Sequence, residues 1–369
     1  MNLELTDEQS ALRDTVRRFL AEKASVAAHV RPMLDDEDGT TDEVWGGLAA
    51  LGAAGVLVPQ EYGGAGMTMV EAGAVAEELG AALNPGPWLS SAVAATRALS
   101  RMGAESTAAA LLAGIADGST IATAGPLNGP RLTATEASGG ATLRGEIAAM
   151  PDVAAADVLL LLAEDDDGAG LFAVDATSTD MVVTARPHVD QTRKLFDVVF
   201  DDVPAQRLAP ASADAVQAFV DDVLIAYAAD ALGAAHTVMH LAVEYAKVRR
   251  QFDQPIGSFQ AVQHLCVDMY ETVELARSGV IHALWAADAA DAAERHLAAL
   301  CAKAFAGRLA SVGDTAIQVF GGIGFTWEHD AHLYLKRLLG WSALCGGPDR
   351  YLEDVGAQLV GQAGRKVLQ

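Results

Sequence analysis

Basic residues are scarce in this chain: 25 Lys and Arg stand against 49 Asp and Glu, a formal net charge of −24 over 369 residues. That deficit argues against nucleic-acid binding, which needs basic patches to neutralise phosphates, and against docking on an anionic membrane surface. It leaves room for an anionic small ligand, because a few local arginines outweigh a mean field screened over roughly 10 Å. Cysteine is sparse too. Cys266, Cys301 and Cys345 are odd in number and lack metal-ligand spacing, so neither a disulfide framework nor a metal site is expected, and a reducing cytoplasm is. No uncharged run of about 18 apolar residues occurs, so no membrane span is expected. The opening MNLELTDEQ has no basic region and no apolar core, so a secretory signal is not expected either. No G-x-G-x-x-G follows an apolar run, which argues against a Rossmann dinucleotide site.

What is abundant points to helix. Aromatics make up 6% of the chain while hydrophobic residues as a whole make up 51%, with alanine and leucine, both strong helix formers, dominant. The length suits two or three domains with ample material for a core. Residues 1–118 read as a helical domain. Thr6 and Gln9 form a capping box, followed by Leu12, Val16, Phe19 and Leu20 at helical spacing. A second helix holds Val44, Trp45, Leu48 and Leu51, a Gly-rich loop runs from Val56 to Met67, and Thr68 with Glu71 opens the next helix. Asn84-Pro85-Gly86-Pro87 breaks the chain before two alanine-rich helices that end near Asp117.

Residues 119–208 change character. Short apolar runs at Asp157–Ala163, Leu171–Val174, Met181–Thr184 and Leu195–Phe200 lie between Gly, Asp and Pro, as strands do. A small, mostly antiparallel β domain is expected, too short to complete a barrel. Residues 209–369 return to helices, predicted over about Ser212–Arg250, Ser258–Ala290 and Ala292–Phe320, with more after Glu328. Helix–strand–helix segregation is α+β, mostly α, rather than alternating βαβ.

The stretch YAKVRRQFDQPIGSFQ, Tyr245 to Gln260, ends an amphipathic helix in two arginines and a phenylalanine and turns through Asp253 and Pro255. A cation and an aromatic ring placed together suit a phosphate joined to a planar ring; a helix dipole also favours arginine in a last turn. Further on, Gln318-Val319-Phe320-Gly321-Gly322-Ile323-Gly324-Phe325 offers backbone that a ligand can approach closely, although glycine is common at helix ends anyway.

Both motifs resemble those of the acyl-CoA dehydrogenase family of flavoenzymes, as does the order of helices, strands and helices along nearly the whole chain. The resemblance implies an N-terminal helical domain, a middle β domain and a C-terminal four-helix bundle. It implies FAD as cofactor and α,β-dehydrogenation of an acyl-CoA to a 2-enoyl-CoA, with an electron-transferring flavoprotein as reoxidant. It also implies that Arg249, Phe252, Gln318, Gly321 and Gly322, with Gln251 a weaker candidate, meet the FAD of a neighbouring subunit. That arrangement requires an oligomer.

The resemblance fails where the family keeps its chemistry. The reaction needs a carboxylate of raised pKa beside the acyl α-carbon. The family's Glu-Gly corresponds to Cys345-Gly346 here, and its alternative Glu, ten residues before the position of Gly233, corresponds to Val223. Asp222 is one residue away but turned by about 100°; Asp221 and Asp222 are expected on a solvated helix surface. The T-E-P-x-x-G-S-D loop and W-I-T segment that surround a subunit's own flavin ring are replaced by TAGPLNGPRLTAT (123–135) and Ile147-Ala148-Ala149-Met150, and the β domain has no tryptophan. The T-x-Q after the family's base reads Gly347-Pro348-Asp349, and the Arg beside its second base position reads Leu224. Contacts lent to a neighbour survive while contacts kept are missing. That is the pattern of one subunit in a mixed assembly, possible as α2β2 with a Glu-bearing paralogue, as in some actinobacterial acyl-CoA dehydrogenases of steroid and lipid catabolism. The alternatives are a homo-oligomeric flavoenzyme with a displaced base such as Asp222, and a non-catalytic scaffold.

The histidines invite structural readings. His236 and His240 share a helix face but lack the Glu of a zinc-protease helix. His264 and His282 have no sequence partner, and His329 and His332 flank Asp330 where helix capping is expected. Asp190, Thr192 and Arg193 resemble a family D-x-T-R whose arginine ties strands to the bundle by bidentate hydrogen bonds.

Overall fold

The computed structural model describes residues 4–137 and 140–367. Five helices come first: α1 (Asp7–Lys23), α2 (Asp42–Ala50), α3 (Met69–Ala81), α4 (Thr96–Arg101) and α5 (Ala109–Asp117). Both expected capping boxes form, Thr6 with Gln9 and Thr68 with Glu71, satisfying backbone N–H groups that a first helical turn leaves free. Between α3 and α4 the chain winds as a π-helix over Leu89–Ala95. Its Ser90 and Ser91 are both buried against the strands that follow.

Seven strands come next: β1 (Ala122–Gly125), β2 (Leu132–Ala137), β3 (Gly140–Pro151), β4 (Val158–Asp165), β5 (Gly168–Asp175), β6 (Met181–Ala185) and β7 (Leu195–Pro210). The sequence marked the last four and missed the first three, whose Thr, Gly and Ala content carries little apolar signal. Antiparallel pairing dominates, but β1 and β2 each pair parallel with β4. The path β4–β2–β3–β7–β5 returns to β4, so the pairing closes on itself where an incomplete barrel was expected. Long β3 and β7 permit the closure: bulges at Leu143/Gly145 and Ile147/Met150 bend β3 along its partner.

The bundle consists of α6 (Ala213–Val248), a two-residue hairpin of β8 (Arg250–Gln251) and β9 (Gln254–Pro255), α7 (Gln260–Ala289), α8 (Ala292–Ala306), α9 (Ala310–Phe320), α10 (Ala331–Ala343) and α11 (Pro348–Val367). The single helix expected over Ala292–Phe320 is two, interrupted by a 3-10 turn at Gly307–Leu309. At Gly307 an added Cβ would lie 2.9 Å from Pro348, so the break lets the N-terminus of α11 pack close. One core joins the N-terminal helices to α6–α10, because α6 runs between them. At Gly233 and Gly80 an added Cβ would lie 1.8 Å from the facing carbonyls of Glu77 and Asp230, and this contact draws α3 against α6.

A buried network fastens the sheet to the bundle. Arg337 of α10 donates to both Asp230 oxygens at 3.0 Å, to Thr192 Oγ1 at 2.9 Å and to the Asn84 carbonyl at 2.9 Å. Arg193 is the lesser tie, with an ion pair to Asp230 at 2.7 Å and its guanidinium 5.3 Å from the Tyr227 ring centre. The fan of hydrogen bonds expected of Arg193 thus belongs to Arg337. Among the described residues no helix is long and apolar enough to cross a membrane, and no group of three or more His, Cys, Asp or Glu is placed to hold a metal ion.

Candidate active site

The two motifs singled out in the sequence meet at one end of the bundle. Tyr245, whose carbonyl accepts the Arg249 N–H at 2.8 Å, packs its ring 5.1 Å from that of Phe320, the residue before Gly321. Arg249 is the C-cap of α6, and among the described residues no hydrogen-bonding or ionic partner engages its guanidinium. Phe252 and Asp253 form the two-residue turn between Gln251 and Gln254, with φ of 52° and 67°. Both are left-handed, the geometry of a type I′ turn that usually selects Asn-Gly. A phenylalanine there costs about 1–3 kcal/mol, and its side chain is 85% exposed, with its ring edge-on to that of Phe259 at 6.0 Å. Strain and exposure together mean that local stability does not account for this side chain.

Gly321 has φ 64° and ends α9, and a Cβ added at Gly321 or Gly322 would meet nothing within 4 Å. The backbone is open to an incoming group rather than packed. Gln318 is exposed on α9, and Gln251 lies in the hairpin. An unpaired guanidinium, an unpacked aromatic ring and an open glycine pair at one end of the bundle fit a dinucleotide, offering cation, flat ring and backbone N–H to its diphosphate and rings.

The β domain offers less. Strand β1 is buried, and Thr123 spends its hydroxyl on the Pro151 carbonyl at 2.8 Å. In the replaced W-I-T segment Ile147 and Met150 point into the barrel core, leaving only the methyls of Ala148 and Ala149 exposed.

Neither base position presents an acid. Val223 is 3% exposed and packs in a core with Phe219, Ala98 and Ala124. Cys345 sits in the turn between α10 and α11 at φ 55°, its carbonyl accepting from the Tyr351 hydroxyl at 3.1 Å. Burial pushes its thiol upward, partly offset by Lys303 and Arg350, so the thiolate is disfavoured.

Asp221 and Asp222 are not solvated: they are 1% and 0% exposed. Asp222 is held by Arg101 at 2.7 and 3.1 Å, with Arg97 at 3.7 Å. Burial raises its pKa, and the two arginines oppose that. Asp221 accepts from Gln217 at 3.0 Å and lies 2.9 Å from His296 Nδ1; this hydrogen bond raises the His296 pKa. Each acid survives burial because a neighbouring helix brings a cationic or protonatable partner. Arg97 and Arg101, four apart in an alanine-rich helix, were the sequence signal for it.

Two buried ionisable groups had no sequence signal. Asp152, after β3 at φ 54°, is 4% exposed and accepts from Ser90 of the π-helix. Burial raises its pKa to about 6 against the pull of Ser90, Arg193 and Lys194. Lys303 of α8 donates to the Trp341 and Ser342 carbonyls at the end of α10, 3.8 Å from the Trp341 ring centre, and burial lowers its pKa to about 7. Five of the histidines singled out in the sequence make structural contacts. His329 Nδ1 caps α10 by accepting the Ala331 N–H at 3.0 Å, His332 packs on Trp327 and His282 stacks on Trp285, and the rings of His236 and His240 lie 5.0 Å apart.

Comparison with known proteins agrees with this architecture. The family model described as acyl-CoA dehydrogenase, N-terminal domain, matches residues 6–119, and that described as acyl-CoA dehydrogenase, C-terminal domain, matches residues 215–359. The acyl-CoA dehydrogenase IpdE2 of Mycobacterium tuberculosis is 32% identical over 362 residues, covering 96% of this chain and 98% of that protein. The acyl-CoA dehydrogenase FadE34 of the same organism is 38% identical over 371 residues, 96% of this chain but 48% of FadE34, so the chain spans about half the length of that relative. Among solved structures, the Tcur3481–Tcur3483 steroid ACAD variant superimposes with a TM-score of 0.88 at 30% identity, covering 97% of this chain and 99% of the other. The ChsE4–ChsE5 complex from Mycobacterium tuberculosis does so with a TM-score of 0.88 at 26% identity, covering 98% and 99%. The chain belongs to the acyl-CoA dehydrogenase family. It is a member of a family of FAD-dependent oxidoreductases and shares their fold.

Proposed function

We propose that this chain is one subunit of an acyl-CoA dehydrogenase that converts an acyl-CoA thioester to the 2-enoyl-CoA, and that it completes a composite FAD site with a Glu-bearing paralogue. The observation that carries this reading is the one-sidedness of the site. Arg249, with no hydrogen-bonding or ionic partner among the described residues, and exposed Phe252 stand at the same end of the bundle as open Gly321 and Gly322, while Val223 and Cys345 occupy the base positions without a carboxylate. Two of the similar structures carry paired names, Tcur3481–Tcur3483 and ChsE4–ChsE5, which supports a mixed assembly.

When bound, FAD supplies the acceptor for the hydride that leaves the acyl β-carbon. The Arg249 guanidinium would hold the diphosphate, the open backbone at Gly321 and Gly322 would let it approach, and the Gln318 amide would be free to hydrogen-bond beside it. Phe252 would cover a ring of the cofactor and keep water from it. The α-proton would go to a glutamate of the partner chain, since the positions for it here hold a valine and a half-buried thiol. An electron-transferring flavoprotein would be the reoxidant.

A homo-oligomeric enzyme with a displaced base is the second reading; Asp222, the acid beside the second base position, is the residue it names, although two arginines neutralise it. Flavin absorbance per subunit separates the two. A colourless chain that turns yellow and active only when co-expressed with a Glu-bearing paralogue supports the composite site. One FAD per subunit in the chain purified alone, with turnover abolished by Asp222→Asn, would transfer the chemistry to this chain.

A further inference from the structure

The two arginines that follow α6 do different things. Arg249 has no hydrogen-bonding or ionic partner among the described residues. Arg250 turns back across the hairpin and donates from Nη2 to the Asp253 carbonyl. Among the described residues, no other side chain bonds to the backbone of the Phe252–Asp253 turn. The turn needs holding. Both residues sit at positive φ, 52° and 67°, where Asn-Gly is the usual pair; aspartate tolerates that conformation and a bulky ring does not. Packing offers little, since both residues are exposed and the Phe252 ring meets that of Phe259 only by its edge. The limbs of the hairpin are anchored separately. The Ile256 N–H donates to the Arg249 carbonyl at 2.8 Å and the Ser258 hydroxyl to the Pro255 carbonyl at 2.7 Å. A Cβ added at Gly257 would lie 2.9 Å from the Ala246 carbonyl, so the chain leaving the hairpin runs tight against α6. These contacts fix where the hairpin starts and ends, and they stop short of its tip.

We infer that Arg250 is a positioning residue for the cofactor site: by holding the Asp253 carbonyl it keeps two non-glycine residues left-handed and so keeps Phe252 presented outward. Donation to that carbonyl sets the peptide plane after Asp253, and with it the direction in which the turn closes. Released, the turn relaxes toward the right-handed conformations that ordinary residues prefer, which splay the flanking strands and swing Phe252 away. A guanidinium suits the task, because its remaining donors stay in water while one is spent on the backbone. The inference rests on the composite-site reading and adds what holds its aromatic contact in place. Supporting a binding side chain through a neighbour that never touches the ligand is how a site is pre-organised.

The test reads two quantities for wild type, Arg250→Ala, Arg250→Ala/Asp253→Gly and Phe252→Ala. One is amide hydrogen exchange over residues 249–256 of the chain alone, and the other is FAD retained by the assembled enzyme after gel filtration. The substituted positions are exposed, and circular dichroism checks that the fold is kept. In Arg250→Ala the hairpin amides should exchange about tenfold faster, and FAD retention should fall about fivefold as pre-organisation is lost. Adding Asp253→Gly should return both to within about twofold of wild type, because glycine takes a left-handed φ without a clamp. A guanidinium that itself met the cofactor would leave a loss that glycine does not cure, and that outcome overturns the inference. So does exchange indifferent to Arg250→Ala. Wild-type FAD retention in Phe252→Ala defeats the reading of this hairpin as part of the cofactor site, whereas retention lost in Phe252→Ala and kept in Arg250→Ala defeats only the positioning role.

Discussion

Arg101 grips Asp222 with two prongs, Nε 2.7 Å from Oδ2 and Nη2 3.1 Å from Oδ1, and its Nη2 also donates to the Ala287 carbonyl at 2.7 Å. One arginine thereby joins α4, α6 and the end of α7. The carboxylate it holds is fully buried, so the pair is a structural clamp beside the family's second base position.

Removing one side of that clamp leaves a buried charge. Arg101→Met is expected to lose about 3–5 kcal/mol, while Arg101→Met/Asp222→Leu recovers most of the loss because the buried carboxylate goes with its partner and Arg97 keeps Asp288 at 2.8 Å. Urea denaturation of both variants measures this. Equal losses in the two would show that packing, not charge, dominates here.

Asp152 makes stability depend on pH. Its folded pKa of about 6 lies above the ordinary carboxylate value near 3.9, so the folded state holds the proton more tightly than the unfolded state does. The destabilisation is therefore absent below about pH 4, grows between about pH 4 and 6, and is complete above that, reaching about 3 kcal/mol. Asp152→Asn should be more stable than wild type at pH 8 and lose that advantage at pH 4, as read from denaturation midpoints. A difference independent of pH would contradict this origin.

Lys303 works in the opposite sense. Its folded pKa of about 7 lies below the ordinary value near 10.4, so the buried ammonium weakens the fold below about pH 7 and the cost fades as pH rises toward 10. Lys303→Met removes that cost together with the hydrogen bonds that end α10. Its melting temperature relative to wild type should fall between about pH 6 and 9.5. A constant offset would mean that the capping bonds alone matter.

Phe252 should trade stability for binding. In its left-handed turn, Phe252→Gly relieves strain and is expected to stabilise the chain by about 1 kcal/mol. Phe252→Ala and Arg249→Ala change stability by less than about 0.5 kcal/mol, as exposed positions do. All three should lower the flavin retained by the assembled enzyme after gel filtration. Retention at the wild-type level would remove Phe252 and Arg249 from the cofactor site.

Much of the architecture was written locally. Capping boxes at Thr6 and Thr68, apolar spacing along α1 and α6, and short apolar runs for β4 to β7 each depend on neighbours within a few residues, so one sequence discloses them. Strands β1 to β3 escaped notice because their partners, not their own alternation, make them strands. The hairpin and the glycine turn could be picked out by residue type. That they lie together follows from Tyr245 packing on Phe320, a contact between residues 75 positions apart.

The sequence by itself determined the family, the order of helix and strand, and the residues capable of meeting a dinucleotide. These rest on side-chain type and spacing along one element. Tertiary structure alone decided that Asp221 and Asp222 are buried, that the strand pairing closes, and that Asp152 and Lys303 lie inside with no ion pair among the described residues. Burial and ionisation are set by what distant segments bring to a side chain: α4 and α8 brought Arg101 and His296 to the two acids of α6, and neither distance nor desolvation is encoded in a residue's own neighbourhood.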